Sequence, residues 1–139
     1  MFSIDYATEQ DRTFWRTLDK YISDEELSLK IRDKRCYIIK DDDRPAGIMR
    51  YNLFWDLIPF LNMIHFEQSF QGKGFGTKAM IHWENEMRQL GHQIAMTSTM
   101  VEETSQHFYR KLGYKDCGCL IKDFPPYVET MEMFMMKQL

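Results

Sequence analysis

Three glycines in five residues, Gly72, Gly74 and Gly76, stand immediately before a stretch with helical periodicity, and Gln71 precedes them. The physics of such a position is anion binding. Amides at a helix start lack intrahelical partners, the macrodipole adds partial positive charge, and glycine lets the backbone approach a phosphate closely. Lys73 and Lys78 add formal charge, so Gln71-Gly72-Lys73-Gly74-Phe75-Gly76 predicts a phosphate-holding turn; the alternative is a tight strand-to-helix turn that simply requires glycine. The order Gly76-Thr77-Lys78 does not match the Gly-Lys-Ser/Thr ending of a Walker A loop. Thr77 occupies the place of the third glycine in a dinucleotide fingerprint, and Ile94 to Met96 offers no acid for a ribose. No other reactive constellation is present. His65, His82, His92 and His107 are scattered, and Cys36, Cys117 and Cys119 lack metal-ligand spacing, which predicts reduced thiols and no metal. Cys117 and Cys119 share one strand face and read as small core residues.

The elements that must position this loop follow from periodicity. Phe2 to Tyr6 alternates as a strand. Thr8 caps a predicted helix with Phe14, Trp15, Leu18, Tyr21 and Ile22 on one face. Ser23 and Glu26 form a capping box opening a second helix, with Leu27 and Ile31 inward. Strands are expected at Cys36 to Lys40, Ile48 to Phe54 and about Phe60 to Phe66, with turn chemistry from Asp41 to Gly47. Gly74 to Leu90 then reads as a helix ending at Gly91, Ile94 to Thr99 as a strand, and Glu102 to Leu112 as a short helix. Asp116 to Ile121 and Glu129 to Met136 complete the series as two strands.

This order predicts an α/β mixed sheet with helices on its faces. The length, 139 residues without repeats or linkers, allows one domain over 1–139. A content of 44% hydrophobic and 28% charged residues excludes disorder. No apolar run approaches the ~20 residues of a membrane span, and the N-terminus lacks the pattern of a secretory signal, so a cytoplasmic protein without membrane contact is expected. The net charge of −3 argues against a nucleic-acid partner.

Two segments carry a resemblance to a known family. Gln-x-x-Gly-x-Gly at Gln71, Gly74 and Gly76 is similar to the coenzyme A pyrophosphate loop of the GNAT N-acetyltransferases, and Phe108-Tyr109-Arg110-Lys111-Leu112-Gly113-Tyr114 resembles the segment ending that family's fourth helix. The element order matches nearly end to end. The resemblance implies a mostly antiparallel sheet of about seven strands, splayed between the fourth and fifth, with four helices. It implies acetyl-CoA as cosubstrate, with the amides of Gln71, Gly72, Lys73, Gly74, Phe75, Gly76 and Thr77 around the pyrophosphate. Ile64 and Phe66 would pair their main chain with the pantetheine arm, and Ser105 and Phe108 would lie against its far end.

The implied reaction is direct attack of a primary amine, of a small molecule or an exposed protein group, on the acetyl carbonyl. Tyr109 matches the family's general acid: a phenol with pKa near ~10 is protonated at pH 7 and can donate to a departing thiolate. A main-chain N–H near Phe66 would serve the oxyanion. Glu67 is the base candidate nearest in sequence, with Asn62 or His65 as alternatives that order a water. Glu102 departs from the family's asparagine seven residues before the tyrosine, which keeps a non-catalytic acyl-CoA-binding or regulatory module as the alternative function; Glu102 facing an ammonium group is the other reading of that departure. Trp15, Tyr21, Phe54, Trp55, Tyr127, Met131 and Met133 fall on the segments that form the family's acceptor side. Relatives are often dimers, so a homodimer stays open.

Overall fold

The computed structural model describes residues 1–139. In chain order it contains β1 (Phe2–Tyr6), a 3-10 turn, α1 (Arg12–Leu18), α2 (Asp24–Asp33), β2 (Cys36–Asp41), β3 (Arg44–Phe54), β4 (Ile58–Phe66), a second 3-10 turn, α3 (Phe75–Gln89), β5 (Ile94–Met100), α4 (Ser105–Lys111), β6 (Lys115–Leu120) and β7 (Glu132–Gln138). The strands form one seven-stranded sheet in the order β1-β2-β3-β4-β5-β7-β6. Every pairing is antiparallel except β4 with β5, which runs parallel and is held only at Phe60–Met96 and Leu61–Thr97. Beyond Leu61 the two strands part, so the expected splay is present.

Strand alternation builds a core on each face. In β2, Tyr37 and Ile39 enter a cluster with Met80, Trp83 and Met87 of α3 and Tyr109 of α4. Their neighbours Cys36 and Ile38 point the other way, onto Trp15 and Leu27 from α1 and α2. A buried sheet with helices on both faces is the stable solution for strands that are apolar on both sides.

Several boundaries move for local reasons. The β2–β3 turn shortens to Asp42-Asp43, both at positive φ (48° and 68°), as a two-residue hairpin requires, so β3 starts at Arg44 rather than Ile48. Gly47 sits inside that strand because a Cβ there would meet the Phe66 ring at 2.4 Å. The first helix stops at Leu18 and does not carry Tyr21, which is 87% exposed. Asp19 ends it: its carboxylate accepts the N–H groups of Tyr21 at 3.0 Å and Ile22 at 3.4 Å, an alternative to helical bonding. Ser23 caps α2 through the Glu26 N–H at 3.1 Å. The fourth helix begins at Ser105, not Glu102, and β7 begins at Glu132, not Glu129. Cys117 and Cys119 are exposed on the edge strand β6 and are not core residues. A register shift between Asp116 and Gly118 leaves Cys117 as the extra residue of a bulge. Cys36 alone is buried, and burial pushes its thiol pKa up to about 12.

Candidate active site

A cleft of about 1670 Å³ opens where β4 and β5 part. One end is floored by the glycine turn. Gly72 and Gly74 take φ of +73° and +82°, which glycine adopts without strain, and nothing stands within 4 Å of where their Cβ atoms would be. Gly76 has a different reason to be glycine: a Cβ would press on the Phe108 ring at 3.3 Å. Helix α3 begins at Phe75 with no side-chain cap. The first main-chain N–H after Gln71 to find a protein acceptor is that of Lys78, which donates to the Gly74 carbonyl at 3.2 Å. Six consecutive amides, from Gly72 to Thr77, are thus left without a protein acceptor. Lys73 is not among the cleft-lining residues; its ammonium stands 5.7 Å over the Phe70 ring.

The open edge of β4 forms the next stretch of wall. Glu67 N–H donates to the Ala46 carbonyl at 2.9 Å, toward β3. Alternation then turns the main-chain groups of Phe66 and Ile64 the other way, into the splay. Gln71 marks that direction, since its side-chain amide donates to the Phe66 carbonyl at 3.1 Å. Ile64, Phe66, Gln71, Ser105, Phe108 and Tyr109 all line the cleft, so the loop, the strand edge and α4 meet there. Asn62 and His65 line it as well; Glu67 does not. It stands immediately before the 3-10 turn after β4, and its side chain makes no capping bond there.

Tyr109 is 7% exposed, the most buried residue of α4. Its ring packs edge-on against Phe108 (5.3 Å) and Tyr114 (5.9 Å). Tyr114 is itself anchored, donating to Glu84 at 2.8 Å, and Glu84 pairs with Lys137 at 2.7 Å. Burial raises the Tyr109 pKa above the usual phenol value, with the Thr97 hydroxyl acting in the opposite sense. The phenol therefore keeps its proton throughout the neutral range.

The far end of the cleft holds residues that sequence reasoning did not assemble. Glu102, Glu103, Lys122, Glu129 and Glu132 line it, from the β5–α4 turn, the β6–β7 connection and the start of β7. Glu103 accepts from Thr99 and Ser105, both at 3.2 Å, and Glu102 from Thr130 at 2.9 Å. Burial raises the Glu132 pKa, Lys122 opposes the rise, and the neighbouring Glu103 charge adds to it. Only the Glu102-Glu103 doublet hinted at this wall, because Lys122 and Glu129 lie on an irregular connection without periodicity and Glu132 opens β7. Of the seven aromatic and methionine residues expected on the acceptor side, Tyr21 and Tyr127 line the cleft. Trp15 does not: it is 1% exposed in the core under α1, its indole N–H donating to Asp19 at 3.1 Å. Phe54, Trp55, Met131 and Met133 are not lining residues either.

Solved structures repeat this architecture at low identity. The ribosomal-protein-S18-alanine N-acetyltransferase from Escherichia coli superposes with a TM-score of 0.80 at 14% identity, covering 99% of this chain and 94% of that one. A GNAT family acetyltransferase from Elizabethkingia anophelis, solved with acetyl-CoA bound, gives 0.81 at 16% identity, covering 99% and 98%. A Bacillus subtilis acetyltransferase in complex with CoA gives 0.80 at 17% identity, covering 100% and 99%. No curated protein matches the sequence. The model of the acetyltransferase (GNAT) family matches residues 3–114, most of the chain and both motif segments, and the protein belongs to that family.

Proposed function

We propose that the protein is an N-acetyltransferase that moves the acetyl group of acetyl-CoA onto a primary amine by direct attack. The observation that carries this reading is the run of partnerless amides from Gly72 to Thr77, opening into the same cleft as Tyr109. When bound, acetyl-CoA supplies an acetyl thioester. The loop amides suit its pyrophosphate, because the space above Gly72 and Gly74 is clear and the helix start carries partial positive charge. The main-chain groups of Ile64 and Phe66 offer the pantetheine amides the ladder that β5 leaves unmade. Ser105 and Phe108 close the far side of that slot.

The chain's residues then divide three tasks. An amine nitrogen forms its bond to the acetyl carbon while the carbonyl oxygen takes negative charge, which the Phe66 N–H is directed to meet. The carbon–sulfur bond breaks, and Tyr109 gives its proton to the departing sulfur. The proton shed by the amine goes to Glu132, the cleft-lining carboxylate whose pKa burial raises, rather than to Glu67, which stands outside the lining. A raised pKa makes Glu132 a stronger base than an ordinary glutamate. Since it acts deprotonated, kcat should fall on the acid side with a midpoint above the usual carboxylate range. Glu132→Gln should lose that limb and about tenfold or more in kcat, whereas an unchanged profile rejects Glu132 as the base.

Acetyl-CoA binding tests the reading without knowledge of the acceptor. At 100 times its dissociation constant, acetyl-CoA should stabilise the native state by about 2.7 kcal/mol, seen as a raised melting temperature. Gly74→Val places a side chain over the amides at φ +82° and costs roughly 1–2 kcal/mol of backbone strain. It should weaken acetyl-CoA binding at least tenfold in calorimetry; full affinity in this variant would remove the loop from the site.

A further inference from the structure

We propose that the acceptor carries a second cationic group beside the amine that reacts, and that Glu102 and Glu103 hold it. This rests on the acetyltransferase reading above and narrows it to a class of amine. Four carboxylates face the acceptor end of the cleft. Lys122 answers two of them, its Nζ lying 2.9 Å from Glu129 and 3.7 Å from Glu132. Glu102 and Glu103 have hydroxyl partners alone, Thr130 for the first, Thr99 and Ser105 for the second. Hydroxyl donors orient a carboxylate and leave its charge in place. Lys20, the other cation lining the cleft, is exposed and makes no ion pair with either acid.

Tyr109 ties this wall to the reacting centre. It is more than nine-tenths buried yet lines the same cleft, and Thr97, the hydroxyl beside its phenol, donates to the Leu61 carbonyl at 3.2 Å. Glu103 is close enough to contribute to the raised Tyr109 pKa, so the proton donor and the unneutralised acid belong to one locale. The reacting amine must be neutral when it attacks. Two ionised carboxylates therefore serve it poorly, because they stabilise its ammonium form. They serve a neighbouring ammonium that stays charged throughout, and they orient the acceptor so that its other nitrogen reaches the thioester. The shared chemistry is a diamine motif, present in free aliphatic oligoamines and in a protein terminus followed by a basic residue.

Thiol release from acetyl-CoA, followed with matched acceptors, decides the matter. Putrescine and butylamine share one carbon chain and differ by an amine; a short peptide with lysine second and its serine counterpart form the other pair. The charged member of at least one pair should show kcat/KM about tenfold higher or more, and the ratio should shrink as salt is raised. Glu102→Gln and Glu103→Gln should each narrow that ratio severalfold, with acetyl-CoA affinity by calorimetry reporting that the fold and the loop are intact. Preference within the amine pair assigns a free oligoamine; preference within the peptide pair alone assigns a basic protein terminus. Equal or better turnover of butylamine and the serine peptide overturns the inference, as does turnover of none of the four. In that last case acetyl-CoA binding separates the failures: retained binding leaves the cosubstrate assignment standing, and lost binding removes the proposed function as well.

Discussion

Tyr109→Phe is expected to lower kcat by about a hundredfold or more while leaving acetyl-CoA affinity unchanged, the scale at which a positioned general acid contributes. The substitution is nearly a pure test of the proton. The phenyl ring keeps the edge-on packing against Phe108 and Tyr114, so the melting temperature should hold. The alkaline limb follows from the direction of the shift. Burial raises the Tyr109 pKa above its ordinary value near ~10, so on the alkaline side the native enzyme should hold its rate past neutral pH and lose it where the phenol ionises. The variant should lack that alkaline fall. Stopped-flow or coupled detection of free CoA thiol against pH reads both effects. A variant that retains more than half the native kcat with any turned-over amine would sink the acid assignment.

How far these residues could be found from sequence depended on what kind of signal each carried. The glycine turn was legible because helix-start physics and three glycines converge on one place, and the strands were legible as short apolar or alternating runs bounded by turn residues. The splay itself needs a three-dimensional fact: β4 and β5 are distant in sequence and pair at only two positions. Tyr109 was placed by motif, but its depth was not, since α4 is seven residues long and buries its tyrosine beneath a ring from the following turn. The acid wall was illegible for a different reason. Glu102, Glu103 and Glu129 come from two irregular connections and Glu132 from the first position of β7, and nothing periodic links them until β7 pairs with both β5 and β6. Cys117 and Cys119 stay out of the core because all six residues of the edge strand β6 are exposed, and the bulge at Cys117 also breaks the alternation that assigns strand faces.

Asp19 misled the helix prediction and for the same reason dominates local stability. Its carboxylate is fully buried and accepts four bonds: Trp15 Nε1 at 3.1 Å, Arg50 Nε at 2.9 Å, and the N–H groups of Tyr21 and Ile22. Asp19→Ala strands the Arg50 guanidinium, whose side chain is only 15% exposed, beside an orphaned indole and two orphaned amides. Breaking one side of a buried pair costs about 3–5 kcal/mol, which corresponds to a melting temperature roughly 10–15 °C lower in a domain this size. Arg50→Met in the same chain should recover part of that loss, because the stranded charge goes with it. The pH dependence has a definite sign. Burial opposes the Asp19 charge, but Arg50 and the amide and indole donors prevail and hold its pKa below the usual carboxylate value. Its contribution is therefore complete above the unfolded pKa of ~3.9 and disappears as pH falls through the lower folded value, so the gap between native protein and Asp19→Ala should close in acid. Denaturant unfolding at neutral pH and near pH 3 measures that gap, and a gap independent of pH would mean the charge is not what Asp19 contributes. The turn it holds carries Lys20 and Tyr21, both of which line the cleft. The same carboxylate that ends α1 thus sets one rim of the cleft, and on the proposed function its loss should raise the acceptor KM before it touches the binding of acetyl-CoA at the opposite end.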